Sequence, residues 1–334
     1  MSVSNVQVLF FQHLKTLLPP HLSMVDEVAE ILGISNDSAY RRIRGEKPMD
    51  LEETQKLSSR FKISVDQLLQ LQNDTYIFSG QLLSHNKDNA FESWLQEVQK
   101  QFTIINTFEK KHIYFLMKDI SPWVQFLIPE LTAFRSFFYM KSVLQDDRLK
   151  GVKFSLADER YEPYIAQGKK ILDLYNTIPI TEIWNVETLN SVLNQIKFYA
   201  DAGAFINKND ITLLFEKVEE LINHIEKQAE MGVKFRIGET PAKDAAEYRM
   251  FVNELILGNN TLLAQVGDQY ITYINHSVNY FIATRDERFN SSMFNGLQNL
   301  MKKSTMISTI GEKDRASFFN RLRKKIHDSI AQLA

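Results

Sequence analysis

Residues 24–45 constrain this chain more than any other stretch, because they specify two short helices meeting at a sharp turn. Val25, Val28, Ala29 and Leu32 recur at spacings of three and four, the apolar stripe of a short amphipathic helix. Ala29 stands where a second helix would cross, and only a small side chain lets two backbones approach there. Gly33 ends the first helix, since a left-handed C-cap costs glycine little and a β-branched residue a great deal. Ile34 plugs the corner, and Ser35 caps a second helix whose inner face is Ala39 and Ile43. Asn36, Asp37, Ser38, Tyr40, Arg41 and Arg44 then point away from the packed side. An outer face this rich in planar hydrogen-bonding groups suits the major groove of DNA, where Arg reads guanine and Asn reads adenine bidentately. The same spacing also fits a plain αα-hairpin whose arginines are a solvated surface.

The flanking residues favour the first reading. Val6, Leu9, Phe10, Leu14 and Leu17 make a preceding helix, closed by Pro19 and Pro20. Downstream, Pro48 and Asp50 open a helix to about Phe61, with Asp50 and Glu53 in a capping-box-like arrangement. Ser64 and Gln67 repeat that device before a last short helix, Val65 to Leu71, giving five helices in the first 72 residues. With Ala29, Gly33, Ile34, Ser35 and the Gly45 that follows the third helix, residues 5–72 resemble the phage repressor and Cro class of helix-turn-helix domains, often called XRE-like. The run Tyr40 to Pro48 also looks like that of bacterial regulators carrying a long helical region after the DNA-binding head. One departure from the class is Arg42, which stands where the third helix usually has its second aliphatic residue, so Ile43 is expected to take over the packing and rotate that helix. The resemblance implies base or sugar contacts from Asn36, Asp37, Ser38, Tyr40 and Arg41, and phosphate contacts from Arg42, Arg44 and Lys47.

Charge qualifies this expectation. The chain carries a net −2, and residues 1–75 hold 8 Lys plus Arg against 10 Asp plus Glu, which counts against strong nonspecific DNA binding. Yet Arg41, Arg42, Arg44 and Lys47 fall within seven residues, opposed there only by Glu46. Modest affinity per head is expected, raised by a homodimer that sets two heads on half-sites about 34 Å apart. At 334 residues and 44% hydrophobic content the chain has ample material for two or three folded domains. It has no cysteine, so disulfides and thiolate zinc sites are excluded. No signal peptide is read ahead of the first helix, and no uncharged apolar run approaches the roughly 20 residues of a membrane span. A cytoplasmic protein with no membrane partner is expected.

Beyond the head, residues 73–90 loosen into Asn73-Asp74, Ser79-Gly80 and Ser84 to Asn89 around a short apolar island, Tyr76-Ile77-Phe78, and read as a linker with a brief strand. Residues 91–231 read as a helical domain, with helices from Phe91 to Phe108 and at about 160–175, 185–203 and 208–231. Residues 113–144 are dense in aromatic side chains, which suits either core or a small-molecule pocket, core being the commoner use. Residues 232–334 read as a small α+β element with terminal helices. It has a strand at Val233–Ile237, a helix at Ala242–Leu257, a hairpin from Thr261 to Ile274 turning at Gly267-Asp268, a strand at Tyr280–Thr284 and helices at about 290–304 and 314–333. The expected class is therefore mainly α, with a five-helix lambda-repressor-like head followed by a larger helical region and that small α+β element.

No catalytic or cofactor signature accompanies these elements. The seven histidines are scattered singly, and there is no phosphate-binding glycine loop, nucleophile elbow or H-E-x-x-H. The chain is read as no enzyme, with no metal and no cofactor. Asp286 and Glu287 near His276 suit exposed ion pairs better than a catalytic cluster. The basic run Lys302 to Lys325 suits a solvated helix face better than a second phosphate surface. These features point to a transcriptional regulator that binds a double-stranded DNA operator and whose C-terminal region dimerises and senses a small-molecule or protein effector. An interaction module retaining the helix-turn-helix fold, and an enzyme with a DNA-targeting head, are the rival readings.

Overall fold

In the computed structural model, which describes residues 6–18, 22–61, 63–65, 76–80, 89–255, 258–278 and 280–333, the chain divides into two units, 1–77 and 78–334. The first holds α1 (Val6–Leu17), α2 (Met24–Leu32), α3 (Asn36–Ile43) and α4 (Leu51–Phe61). Four helices are thus described here rather than five, and the helix expected at Val65–Leu71 lies, beyond its first residue, outside the described residues. Phe10, Phe11 and Leu14 of α1 meet Val28 and Ala29 of α2, Ala39 of α3 and Leu57 of α4 in one small core. Ser23 caps α2 and Ser35 caps α3, each hydroxyl accepting a backbone N–H three residues on. At the head of α4 the Glu53 N–H donates to Asp50 Oδ1 at 2.7 Å and the Asp50 N–H to Glu53 Oε2 at 3.4 Å, the reciprocal capping box.

Residues 78–334 overturn the mainly helical expectation, because they are built on an eight-stranded mixed sheet. Its middle is three parallel strands, β2 (Lys111–Leu116), β3 (Ile180–Trp184) and β4 (Tyr248–Val252). Beyond β2 the sheet continues antiparallel through β5 (Thr261–Val266), β6 (Gln269–Ser277), β7 (Tyr280–Thr284) and the two-residue β1 (Ser79–Gly80). Beyond β4 it ends on β8 (Thr305–Met306), also antiparallel. The sheet order is β1-β7-β6-β5-β2-β3-β4-β8. Residues 91–231 and 232–334 therefore share one sheet.

The helices of this unit are α5 (Ala90–Asn106), α6 (Pro122–Gln125), α7 (Pro129–Phe138), α8 (Glu162–Asn176), α9 (Asn190–Asp201), α10 (Asn209–Met231), α11 (Glu287–Lys302) and α12 (Glu312–Ala331). All but α11 contribute to one large core with the sheet face that carries Ile113, Phe115, Ile180, Trp184, Met250 and Ala264. On the opposite face Ile183 and Leu263 pack with Tyr114, Leu116 and Phe251 against Met293, Phe294 and Leu297 of α11. A sheet covered on both sides is what parallel strands require.

The same coverage explains what the sequence reading missed. All five residues of β3 are buried, so it shows no alternation of apolar and polar positions. The helix expected at Ala242–Leu257 is corrected to β4, where buried Tyr248, Met250 and Val252 alternate with Arg249 and Phe251. The strand expected at Val233–Ile237 reduces to an isolated bridge between Val233 and Glu247. The hairpin of β5 and β6 falls where Gly267-Asp268 predicted it, and β7 spans the expected Tyr280–Thr284.

A candidate nucleic-acid interface

The turn between α2 and α3 is set by backbone geometry at Gly33. Its φ is +66°, and a Cβ there would meet no atom within 4 Å, so conformation and not space demands the glycine. The Ile34 N–H then donates 3.0 Å to the Ala29 carbonyl and closes the end of α2. Ala29 and Ala39, both buried, are the small residues at which α2 and α3 pack in the shared core.

At about 100° per residue, Asn36, Asp37, Tyr40, Arg41 and Arg44 fall within an arc of about 140° on α3 and its C-cap. All five are exposed, Tyr40 to 49%. Arg44 lies over the Tyr40 ring at 5.6 Å and 3.1 Å from Glu46, and Asn36 donates to Asp26 of α2 at 2.9 Å. Lys47 is exposed just beyond, in a turn where the N–H groups of Glu46 and Lys47 both donate to the Arg41 carbonyl. Among the described residues no ion pair engages Arg41 or Lys47.

Arg42 and Ser38 stand apart from this face. Arg42 is 6% exposed and faces inward with Ala39. Its guanidinium is bound side-on by Glu53, which raises its pKa, while Nη1 donates to the Ser38 hydroxyl at 2.7 Å and to the Ser38 carbonyl at 3.3 Å. The phosphate contact expected of Arg42 would have to come from a guanidinium that four hydrogen bonds already hold inside the first unit. Ser38 is half-buried, and its hydroxyl accepts from Arg42. Arg42 takes an inner position by burying its stem and pairing its head, and Ile43 packs only in part.

Two further residues, Glu53 and Gln7, support this arrangement. The sequence marks Glu53 as a cap, and an arginine at an inner helical position itself calls for a carboxylate partner. Gln7 of α1 has no sequence signal at all. Its amide donates to the carbonyls of Arg42 at 2.6 Å and Lys47 at 2.7 Å, and its oxygen accepts the Met49 N–H at 2.9 Å, tying down the segment that leaves α3.

The other candidates resolve into structure within the larger unit. Most of the aromatic residues of 113–144 are core, among them Phe115, Trp123, Phe134 and Phe137. Four of the eight basic residues of the run are engaged: Arg315 donates to the carbonyls of Ile307 and Ile310, Arg321 pairs with Glu254, Arg323 with Glu226 and Lys325 with Glu187. Asp286 caps α11 and pairs with Arg288 at 3.1 Å. Among the described residues no group of three or more His, Asp or Glu is placed to hold a metal, and no helix is long and apolar enough to cross a membrane.

A family model described as the BetR domain matches residues 14–99, a stretch that contains α2, α3 and α4 and reaches into α5. No curated protein and no solved structure matches the chain.

Proposed function

We propose that this chain is a sequence-specific DNA-binding transcriptional regulator of the XRE-like helix-turn-helix class, acting in the cytoplasm as a homodimer, with the larger unit serving dimerisation and effector sensing. The observation that supports it best is the division of α3 into two sides. Ala39 and the Arg42–Glu53 pair fasten one, and Asn36, Asp37, Tyr40, Arg41 and Arg44 are left exposed together on the other. On this reading Asn36, Asp37, Tyr40 and Arg41 face base edges and sugars, and Arg44 and Lys47 face phosphate. Two such heads reach half-sites about 34 Å apart.

Selection of bound sequences from a random DNA pool with the full-length protein tests the reading. Enrichment of one site with two related halves is expected. A pool that stays random, with affinity no higher than that of an acidic control protein, would leave the head as a protein-interaction module.

A further inference from the structure

The larger unit contains a cavity of about 380 Å³ between α5 and the antiparallel half of the sheet. That volume is at the low end of ordinary small-molecule sites, about 300–1,000 Å³. Its walls are aromatic and aliphatic: Trp94, Val98 and Phe102 from α5, Trp123 from the first crossover, Ile271 and Phe281 from the sheet. Phe102 and Trp123 meet edge to face at 5.4 Å, which leaves flat ring surfaces to line the space. The edge strand supplies Gly80, where a Cβ would come within 2.8 Å of Ile282 Cγ2, so the rim carries no side chain at that point.

Polar groups in the lining gather around one hydroxyl. Tyr273 donates to Gln101 Oε1 at 3.1 Å, and Gln101 donates in turn to Glu97 Oε1 at 2.6 Å. Arg285, exposed at the mouth, lines the same space, and Glu97 lines it half-buried. Among the described residues Glu97 and Arg285 form no ion pair with each other or with any other group. One cavity thus presents aromatic walls together with one carboxylate and one guanidinium that do not neutralise each other directly. A ligand with a single charge would satisfy only one of the two, whereas one carrying an ammonium and a carboxylate on the same carbon would satisfy both.

We propose that this cavity binds a small zwitterion with a large apolar group, that is, a hydrophobic α-amino acid. The apolar side chain lies among Trp94, Phe102, Trp123 and Phe281, the ammonium donates to Glu97, and the carboxylate accepts from Arg285. Its role as the effector of a DNA-binding regulator rests on the function proposed above; the binding itself does not.

Titration calorimetry of the full-length protein with L-phenylalanine tests the assignment without DNA, supported by the fluorescence of Trp94 and Trp123. Saturable binding is expected. Affinity should fall by about tenfold or more for phenylpropionate, which lacks the ammonium, and for phenethylamine, which lacks the carboxylate. Arg285→Ala and Glu97→Gln, both at the polar end and outside the core, should each weaken phenylalanine to a similar degree. Ala283→Trp, which fills the space, should abolish binding while circular dichroism shows an intact fold. Absence of binding in the millimolar range would overturn the proposal. So would phenylpropionate or phenethylamine binding as tightly as phenylalanine, or indifference to both charge substitutions. A failed DNA selection alongside positive calorimetry would remove the regulator and keep the site.

Discussion

The Arg42 guanidinium and the Glu53 carboxylate meet side-on, with Nε 2.8 Å from Oε2 and Nη2 2.5 Å from Oε1, joining α3 to α4. Both side chains are largely withdrawn from water, to 7% and 14% exposure. A buried pair of this kind adds little over an apolar contact, but removing one partner strands a charge. Glu53→Gln keeps the volume and the cap, and should destabilise the first unit by about 3–5 kcal/mol. Arg42→Leu combined with Glu53→Gln removes the stranded charge, and should recover most of that loss. Hydrogen exchange of the amides of residues 24–61 in the intact chain reads both outcomes, and equal exchange in the single and double variants would count against a pairing role.

Gln7 should matter beyond its own helix. Its three bonds to the backbone at Arg42, Lys47 and Met49 include two carbonyls and one N–H that lose their partner in Gln7→Ala. A cost of about 1–3 kcal/mol is expected, with faster exchange confined to about residues 42–49. On the DNA-binding reading, affinity should drop evenly across sequences, because the loosened segment carries Lys47 and not the base-facing residues. A changed sequence preference in Gln7→Ala would contradict that placement.

Arg41 and Lys47 separate base reading from phosphate binding. Arg41→Ala should cost about 1–3 kcal/mol on the selected site and relax one base position. Lys47→Ala should weaken selected and random duplexes alike and lower the salt slope by about one. Binding isotherms for both variants on both duplexes, over a range of salt, make the comparison. Equal losses on the two duplexes for both variants would remove the division of labour.

How far the sequence reveals these features follows from where each residue's partners lie. The cap at Ser35, the turn at Gly33 and the exposed arc on α3 arise from neighbours within a few positions, and all were legible. The inward pairing of Arg42 leaves no local sign, because its partner is eleven residues away on another helix and its chemistry alone suggests a surface. Strand β3 left no period to read, since helices cover one face and α11 the other. In β4 the alternation was present, but it lay inside a segment with enough apolar residues to pass as a helix. The cavity under α5 draws Glu97 and Arg285 from positions nearly two hundred residues apart, so nothing local could have joined them.

His112 should give the larger unit an acid-sensitive margin. Burial, offset in part by Glu247, lowers its pKa to about 4, and its Nε2 lies 2.9 Å from Thr181 Oγ1. The unfolded chain takes up that proton near pH 6.5. Between about pH 6.5 and 4 the unfolded state therefore binds a proton that the folded state refuses, so stability falls as the pH drops through this window. At about 1.4 kcal/mol per pH unit the loss reaches at most about 3.5 kcal/mol. Denaturant titrations from pH 7 to 4 on His112→Asn should show a flatter acid limb, and an unchanged limb would assign the acid loss to other groups.

Lys234 gives a dependence of the same sign in a different range. It lies buried behind the sheet over the Tyr175 ring at 3.6 Å and donates to the Tyr175 carbonyl, while Glu182 nearby accepts from Tyr175, Trp184 and Tyr248 at 2.7–2.9 Å. Desolvation lowers Lys234 to about 7, with the Glu182 carboxylate opposing the shift. In the unfolded chain the ammonium persists to about pH 10.4. From about pH 7 upward the unfolded state thus holds a proton the folded state has released, so stability should rise with pH until the unfolded lysine also titrates. Lys234→Met removes the group, and should flatten the rise between pH 7 and 9 in denaturant midpoints. Glu182→Gln should instead destabilise the unit at every pH in that range. The amide brings two donors of its own to an end already crowded by two hydroxyls and an indole N–H, and buried donors without acceptors are costly. If Lys234→Met leaves the slope unchanged, the proton taken up on unfolding between pH 7 and 9 belongs elsewhere in the chain.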